Sequence, residues 1–259
     1  MPEPPQRRSP LVLLLLIAAP LVGAGGIVFG VIWLGWLAKQ HLGDRNKIDF
    51  AAIECTPPPG MVSAEFLDDV RYYAELAGKP VPDQLEANED LPKTLVEAFL
   101  QYPWVETIEG ITVTPDKRVQ LKLKYRRPVL AAQVDGSRRA VEARGILLPK
   151  AAGTEGLPFL RDGQFRKRDN VLWGDERVRA AAGTVAFLRD NQDRLVVTEI
   201  GGNADNLQLT TARGARVVWG HPPGAEPAGE RTAQQKCEVL TAGDEPSGLL
   251  DLRRPDGER

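Results

Sequence analysis

Cysteine, histidine and methionine are scarce in this chain of 259 residues, with two of each. Cys55 and Cys237 form no zinc or redox spacing. In an oxidising compartment the two can pair and close a long loop. Two separate buried thiols is the favoured reading, because Cys237 falls on the apolar face of a helical pattern. His41 lies in a charged stretch and His221 precedes Pro222-Pro223; neither has a ligand cluster or triad partner nearby in sequence. Serine is thin too, with four, and the carboxylates are scattered. There is no phosphate-cradling loop, metal cluster or nucleophile–base pair. No catalytic residue, metal ligand or cofactor site is therefore expected. The formal net charge of −2 gives no global attraction to nucleic acid.

Charge itself is missing from Ser9 to Ala38, and the apolar core of that run, Leu11 to Leu37, is 27 residues long. A membrane-spanning helix needs about 20 apolar residues. The run is predicted to be one, with Pro20 and Gly23, Ala24, Gly25 and Gly26 as the place for a kink. Trp33 and Trp36 stand where indoles favour the membrane interface. A cleaved signal peptide is the rival, with Arg7 and Arg8 as its basic region. A signal's apolar region runs about 7–15 residues, and here it continues to Leu37, so an anchor is preferred. Arg7 and Arg8 face Lys39, Arg45 and Lys47 across the span, which leaves the positive-inside rule nearly balanced. Gly26 and Gly30 make a GxxxG pair, a weak signal in a Gly-rich segment. Residues 1–10 read as a polar tail and 38–48 as a charged link.

The remaining residues suit one large or two small domains. Asp49 to Glu54 reads as a strand, stopped by Pro57-Pro58-Pro59-Gly60. Ser63 is an expected N-cap for a helix with Phe66, Val70, Tyr73 and Ala77 on one face, ended by Gly78. Residues 78–90 read as a polar loop. A second helix is expected from Asp90, with Pro92 in its first turn and Leu95, Val96, Phe99 and Leu100 as its stripe, ending at Tyr102-Pro103. Ile111 and Val113, then Val119, Leu121, Leu123 and Tyr125, alternate with polar residues on either side of Pro115-Asp116. That is a hairpin with one apolar face and one basic face of Arg118, Lys122, Lys124 and Arg126. Without interleaved aromatics the basic face reads as solvated rather than nucleic-acid binding. Residues 49–127 are thus expected as a strand–helix–helix–strand–strand α+β unit.

From Pro128 the pattern is mainly β. Strands are expected at 129–134, 140–142, 146–148, 195–200, 207–211, 216–219 and, last, Leu249 to Leu252. Turns are expected at Asp135-Gly136, Arg144-Gly145 and Arg213-Gly214, and a loop with an apolar patch at 156–163. One helix is capped by Asp175 and lined by Val178, Ala181, Ala182, Val185 and Leu188. Another is lined by Ala233, Cys237 and Leu240, with Gly243 as C-cap.

Several of these pieces together resemble the FtsQ/DivIB family of bacterial cell-division proteins. Tyr102-Pro103-Trp104-Val105 is similar to the family's "hPWV", and Val119 to Val129 to its "L-x-I-x-V-x-E-R-x-P-V" strand. Val141 to Pro149 resembles "LVDxxGxxLP", and Leu157 to Leu160 resembles "LPxL". Asn206 to Gly220 resembles the "L.L.dG..v.lG" hairpin, and Leu250 to Pro255 resembles "iDLRyP". Order and spacing run across residues 11–255.

The resemblance implies an α+β fold with a single N-terminal transmembrane helix, a POTRA domain (β-α-α-β-β) over 49–127, and a mainly β domain over 128–259 with two helices and a C-terminal strand. It implies a bitopic scaffold in the cytoplasmic membrane, N-terminus inside and soluble domains outside, that works at the division site without catalysis. Its partners would be divisome proteins such as the FtsB/FtsL coiled coils. By motif, the partner-binding residues are Leu249, Leu250, Asp251, Leu252, Arg253 and Arg254, offered by strand addition, with Arg253 and Arg254 able to meet acidic partner residues. The alternative function is a POTRA-bearing envelope protein in polypeptide transport or assembly. An enzyme would need a deep pocket holding perturbed carboxylates.

Overall fold

A computed structural model of the chain describes residues 33–34, 47–168, 171–191, 195–242 and 248–254. The expected tail 1–10, most of the apolar span 11–37 and of the link 38–48, and Gly243 as a C-cap lie outside these residues.

The expected fold class needs correction. The described body is rich in sheet and has four α-helices, and no helix among the described residues is long and apolar enough to cross a membrane. The first unit also departs from a plain β-α-α-β-β order. Its expected first strand is broken in two: Lys47–Asp49 (β1) and Glu54–Cys55 (β2) flank a 3-10 turn at Phe50–Ala52. The break has a local cause, since the Asp49 carboxylate accepts a hydrogen bond from Ala51 N and caps the turn. The polar loop at 78–90 contains a further strand, Gln84–Glu86 (β3), which pairs antiparallel with β1 and buries Leu85 against Ile48.

Two helices precede the hairpin, one on either side of β3 in the chain. Ser63–Leu76 (α1) begins at Ser63 itself; its N-cap is Val62, which has no side-chain cap bond. Leu91–Phe99 (α2) has Pro92 in its first turn and ends three residues before Tyr102. The hairpin Val105–Val113 (β4) and Val119–Tyr125 (β5) is longer than the alternation in its first arm suggested, and β2 joins the far side of β5 in parallel. The helices bury Phe66, Val70, Leu95 and Phe99 against Val119 and Leu121. Phe66 is the hub of this core. It is fully buried and meets Phe99, Tyr102 and Tyr125 at centroid distances of 5.9, 5.5 and 5.8 Å, all edge-on.

The second hydrophobic cluster surrounds a seven-stranded sheet. Its strands are Pro128–Val134 (β6), Ser137–Glu142 (β7), Phe159–Leu160 (β8), Val197–Asn203 (β11), Asn206–Thr211 (β12), Arg216–Gly220 (β13) and Leu249–Asp251 (β14). The spatial order is β14-β13-β12-β11-β8-β6-β7. The apolar patch expected in a loop supplies β8, which fits between β6 and β11 and runs parallel to both. Its pattern is too short to read as a strand from sequence, but Leu160 is fully buried there. A hairpin not expected at all, Phe165–Arg168 (β9) and Val171–Gly174 (β10), stands beside the β7 edge. The stretch 146–148 links the two, with Leu147 bridging Val141 on one side and Ile146 bridging Trp173 on the other.

Parallel neighbours in a sheet need a crossover. Glu176–Asn191 (α3) lies in the connection from β8 to β11, and its buried face is Val178, Ala181, Ala182, Val185 and Leu188. Asp175 Oδ1 accepts a hydrogen bond from Val178 N, as an N-cap should. Ala233–Ala242 (α4) lies in the connection from β13 to β14. Its start is a capping box: Thr232 N donates to Gln235 Oε1, and Gln235 N donates to Thr232 Oγ1.

Phe66→Ala is expected to remove three ring contacts from a site that cannot collapse easily, destabilising the chain by about 3–5 kcal/mol. Urea unfolding followed by circular dichroism measures this. A loss below about 1 kcal/mol would mean the ring is not the centre of that core.

Candidate functional site

The residues singled out by motif, Leu249 to Arg254, come together as the terminal strand of the large sheet and the turn after it. β14 pairs in parallel with β13, in the register Arg216–Leu249, Val217–Leu250 and Val218–Asp251. Arg216 N donates to Gly248 O, and Leu252 N donates to Val218 O. Residues 248 and 252 therefore direct backbone groups at β13, and alternation along a strand turns those of Leu249 and Asp251 the other way. Among the described residues no strand lies beyond β14.

The side chains divide in the same fashion. Leu252 is fully buried and Leu250 half-buried, both in the second core cluster. Leu249 is 74% exposed, the most exposed large apolar residue of the described chain. Arg253 is exposed and already paired with a residue of the strand: its Nη2 and Nε donate to Asp251 at 2.6 and 3.0 Å. That bond holds the Asp251 carboxyl below its usual range. Arg254 is exposed.

Behind the edge lies a charged group that the sequence reading missed. Lys236, on α4, is fully buried, and its ammonium donates to Glu230 Oε1 at 2.6 Å and lies 5.0 Å from the Trp219 ring centroid. Glu230 also accepts from His221 N at 2.9 Å and from His221 Nδ1 at 2.7 Å. So His221, which has no partner close in sequence, finds one nine residues on. Burial alone would raise the Glu230 carboxyl's pKa. The hydrogen bonds from Lys236 and His221 outweigh it and leave the value below the ordinary 4.5.

This group reaches the edge strand through two contacts. Arg231 N donates to Arg253 O at 2.9 Å. Gly220, at φ +86°, lets the end of β13 approach both Glu230 and Arg253; a β-carbon there would collide with the Glu230 carboxylate and lie 2.8 Å from Arg253 Cγ. Glu226 closes the loop between them, accepting from Gly224 N and Ala233 N. The signal in the sequence was Lys236 itself. It stands on the face of α4 shared by Ala233, Cys237 and Leu240, where a lysine must either snorkel or find an acid.

The basic face of the hairpin is matched by ion pairs across its strands and within its turn. Lys122 meets Glu109 at 3.0 Å, Lys124 meets Glu106 at 3.1 Å, and Arg118 meets Asp116 at 2.9 Å. Acids on β4 and in the turn thus offset the face's charge. Cys55 lies in the small sheet and Cys237 on α4, both free thiols, and burial pushes Cys55 up to about 11 and Cys237 upward too. Among the described residues the shifted carboxylates, Asp116, Glu230 and Asp251, all move downward. A buried general acid would move upward. Among the described residues no group of three His, Cys, Asp or Glu could hold a metal ion.

By these features the described body is rich in sheet, with an end strand, β14, that has no strand beyond it among the described residues and is braced from behind by a buried ion pair. A comparison with protein-family models and with curated proteins finds no match to the chain.

Glu230→Gln is expected to leave the Lys236 ammonium buried without a counter-charge and to cost about 3 kcal/mol at pH near 7. The folded Glu230 carboxyl titrates below 4.5. The pair's stabilisation is therefore complete above that value and is lost as pH falls through the lower folded one. Urea titrations across this range should show wild type and variant converging in acid. A constant gap at all pH values would refute the ion pair as the cause.

Proposed function

We propose that the chain is a non-catalytic scaffold of the bacterial division machinery that captures a partner polypeptide by strand addition at β14. The observation that carries this reading is the outward set of backbone groups at Leu249 and Asp251 on the terminal strand of the large sheet. An added strand gains backbone hydrogen bonds from such an edge and specificity from alternate side chains. The division role itself is supported by the ordered FtsQ/DivIB-like motifs, of which Leu250 to Pro255 includes this strand. FtsB/FtsL-type coiled-coil proteins are the partners in this proposal, and its setting is the cytoplasmic membrane with the sheet domains outside.

Two features favour capture over mere exposure. Natural edges are commonly blunted by charge, proline or a covering element. Here the outward residue at the start of the strand is Leu249, an exposed aliphatic side chain that offers apolar contact instead of repulsion. The ion pair behind the strand also fixes its position before any partner arrives, which lowers the ordering cost of binding.

Leu249→Pro removes an N–H that points away from β13, so the ladder to β13 is retained. Capture of an FtsB/FtsL-type partner by the full chain is expected to fall about tenfold or more, with little change in thermal midpoint. Leu249→Lys, which keeps the N–H but places a charge at the edge, should weaken capture as well. Capture unchanged in both variants would overturn the assignment.

A further inference from the structure

The far side of the large sheet presents different chemistry. Residues 146–148 and then the β9–β10 hairpin continue outward from β7, so β9 is the last strand on that side. β9 reads Phe-Arg-Lys-Arg, and Arg166, Lys167 and Arg168 are all exposed. Arg166 and Arg168, two apart, share a face of the hairpin. Trp173 is the cross-strand partner of Arg166 and lies on that same face. The first turn of α3 adds Arg179, whose stem lies close over Gly145; a β-carbon at Gly145 would sit 2.6 Å from Arg179 Cγ. Together these residues line an open cleft of about 360 Å³.

We propose that this cleft binds an acidic peptide segment of a second protein, taking its carboxylates on Arg166 and Arg179 and packing its backbone or side chains on the Trp173 indole. A guanidinium presents a planar fork that matches a carboxylate bidentately. An indole beside it adds a large apolar wall with little ordering cost.

The lining also selects among anions. Asp175 and Glu176 line the same cleft. Asp175 already accepts from Val178 N through Oδ1. Two carboxylates among three guanidinium groups repel a continuous polyanion, yet they suit a peptide that carries discrete acids and backbone N–H groups. One indole is likewise short of the repeated stacking platforms that single-stranded nucleic acids use. The volume fits a few side chains, not a folded domain. This site is on the opposite side of the sheet from β14 and does not depend on strand addition there, so one chain could hold two polypeptides at once.

The test uses the full chain and fluorescence anisotropy. The probe is a fluorescein-labelled peptide of alternating serine and glutamate, with glutamine in place of glutamate as the control. The glutamate peptide should bind, and the glutamine peptide should not. Arg166→Gln combined with Arg179→Gln should weaken binding about tenfold or more and reduce its salt dependence. Both side chains are exposed, so circular dichroism should be unchanged. Trp173→Ala should weaken binding severalfold, whereas Leu249→Pro should leave it intact, which separates this site from the β14 edge. The proposal is overturned if the two peptides bind alike, if the double arginine variant binds as wild type, or if a thymidine oligonucleotide displaces the peptide at lower concentrations than unlabelled peptide does.

Discussion

A lysine ammonium cannot be left unpaired inside an apolar core, and the geometry of the C-terminal region follows from that constraint. Taking an ion out of water costs several kcal/mol even after relaxation. Lys236 is fully buried beneath Trp219, so an acid must come to it. That acid, Glu230, belongs to the loop between β13 and α4, and the loop can deliver it only if the chain turns sharply after Trp219. Gly220 permits the turn. With Glu230 in place, Arg231 stands where its N–H meets Arg253 O, and the end of β14 is tied down. Replacing the pair with apolar residues of equal volume could stabilise such a core. What the pair contributes is position: α4, the loop and the terminal strand have one arrangement that satisfies it.

The sheet treats its two ends differently. Beyond β7 the polar backbone is met by 146–148 and then by a hairpin whose outer strand is crowded with cations. Charge at an edge discourages pairing with another strand. At β14 the strand is short, its outward residues are Leu249 and Asp251, and the Asp251 carboxylate is already paired with the nearest arginine, Arg253. The contrast is what the two proposals rest on: an added strand at β14, and carboxylate side chains at the arginine cleft.

Sequence patterns carried the long elements because burial writes them directly. The stripe Val178, Ala181, Ala182, Val185, Leu188 and the cap Asp175 define α3, and strict alternation from Val119 to Tyr125 defines β5. The misses are short elements held by pairing partners far away in the chain. β8 is two residues whose neighbours are β6 and β11, and its apolar pair is as consistent with a packed loop as with a strand. β3 exists because β1 needs an antiparallel neighbour, and the composition around Leu85 is that of a loop. β9 has no apolar alternation to reveal it, as Arg166 to Arg168 are all exposed. The candidate edge was legible through its motif. The group that braces it was not, since Glu230 and Lys236 reveal their pairing only once α4 is known to bury the face that carries Lys236.

The length of β14 limits what strand addition there can supply. Two outward residues, Leu249 and Asp251, offer two N–H donors and two carbonyl acceptors. A hydrogen bond made on association contributes a net of about 0.5–1.5 kcal/mol. Four of them give roughly 2–6 kcal/mol, comparable with or below the several kcal/mol lost in restricting two bodies to one complex. Backbone pairing at this edge can therefore fix register and direction, but it cannot by itself hold a partner. The remaining affinity must come from side chains. Leu249 is the exposed apolar group closest to the added strand, and burying a leucine contributes about 1.5–3 kcal/mol. Under the strand-addition proposal a partner would therefore have to place an apolar residue against Leu249 and continue past the strand, where Arg254 adds a contact that three residues of sheet cannot.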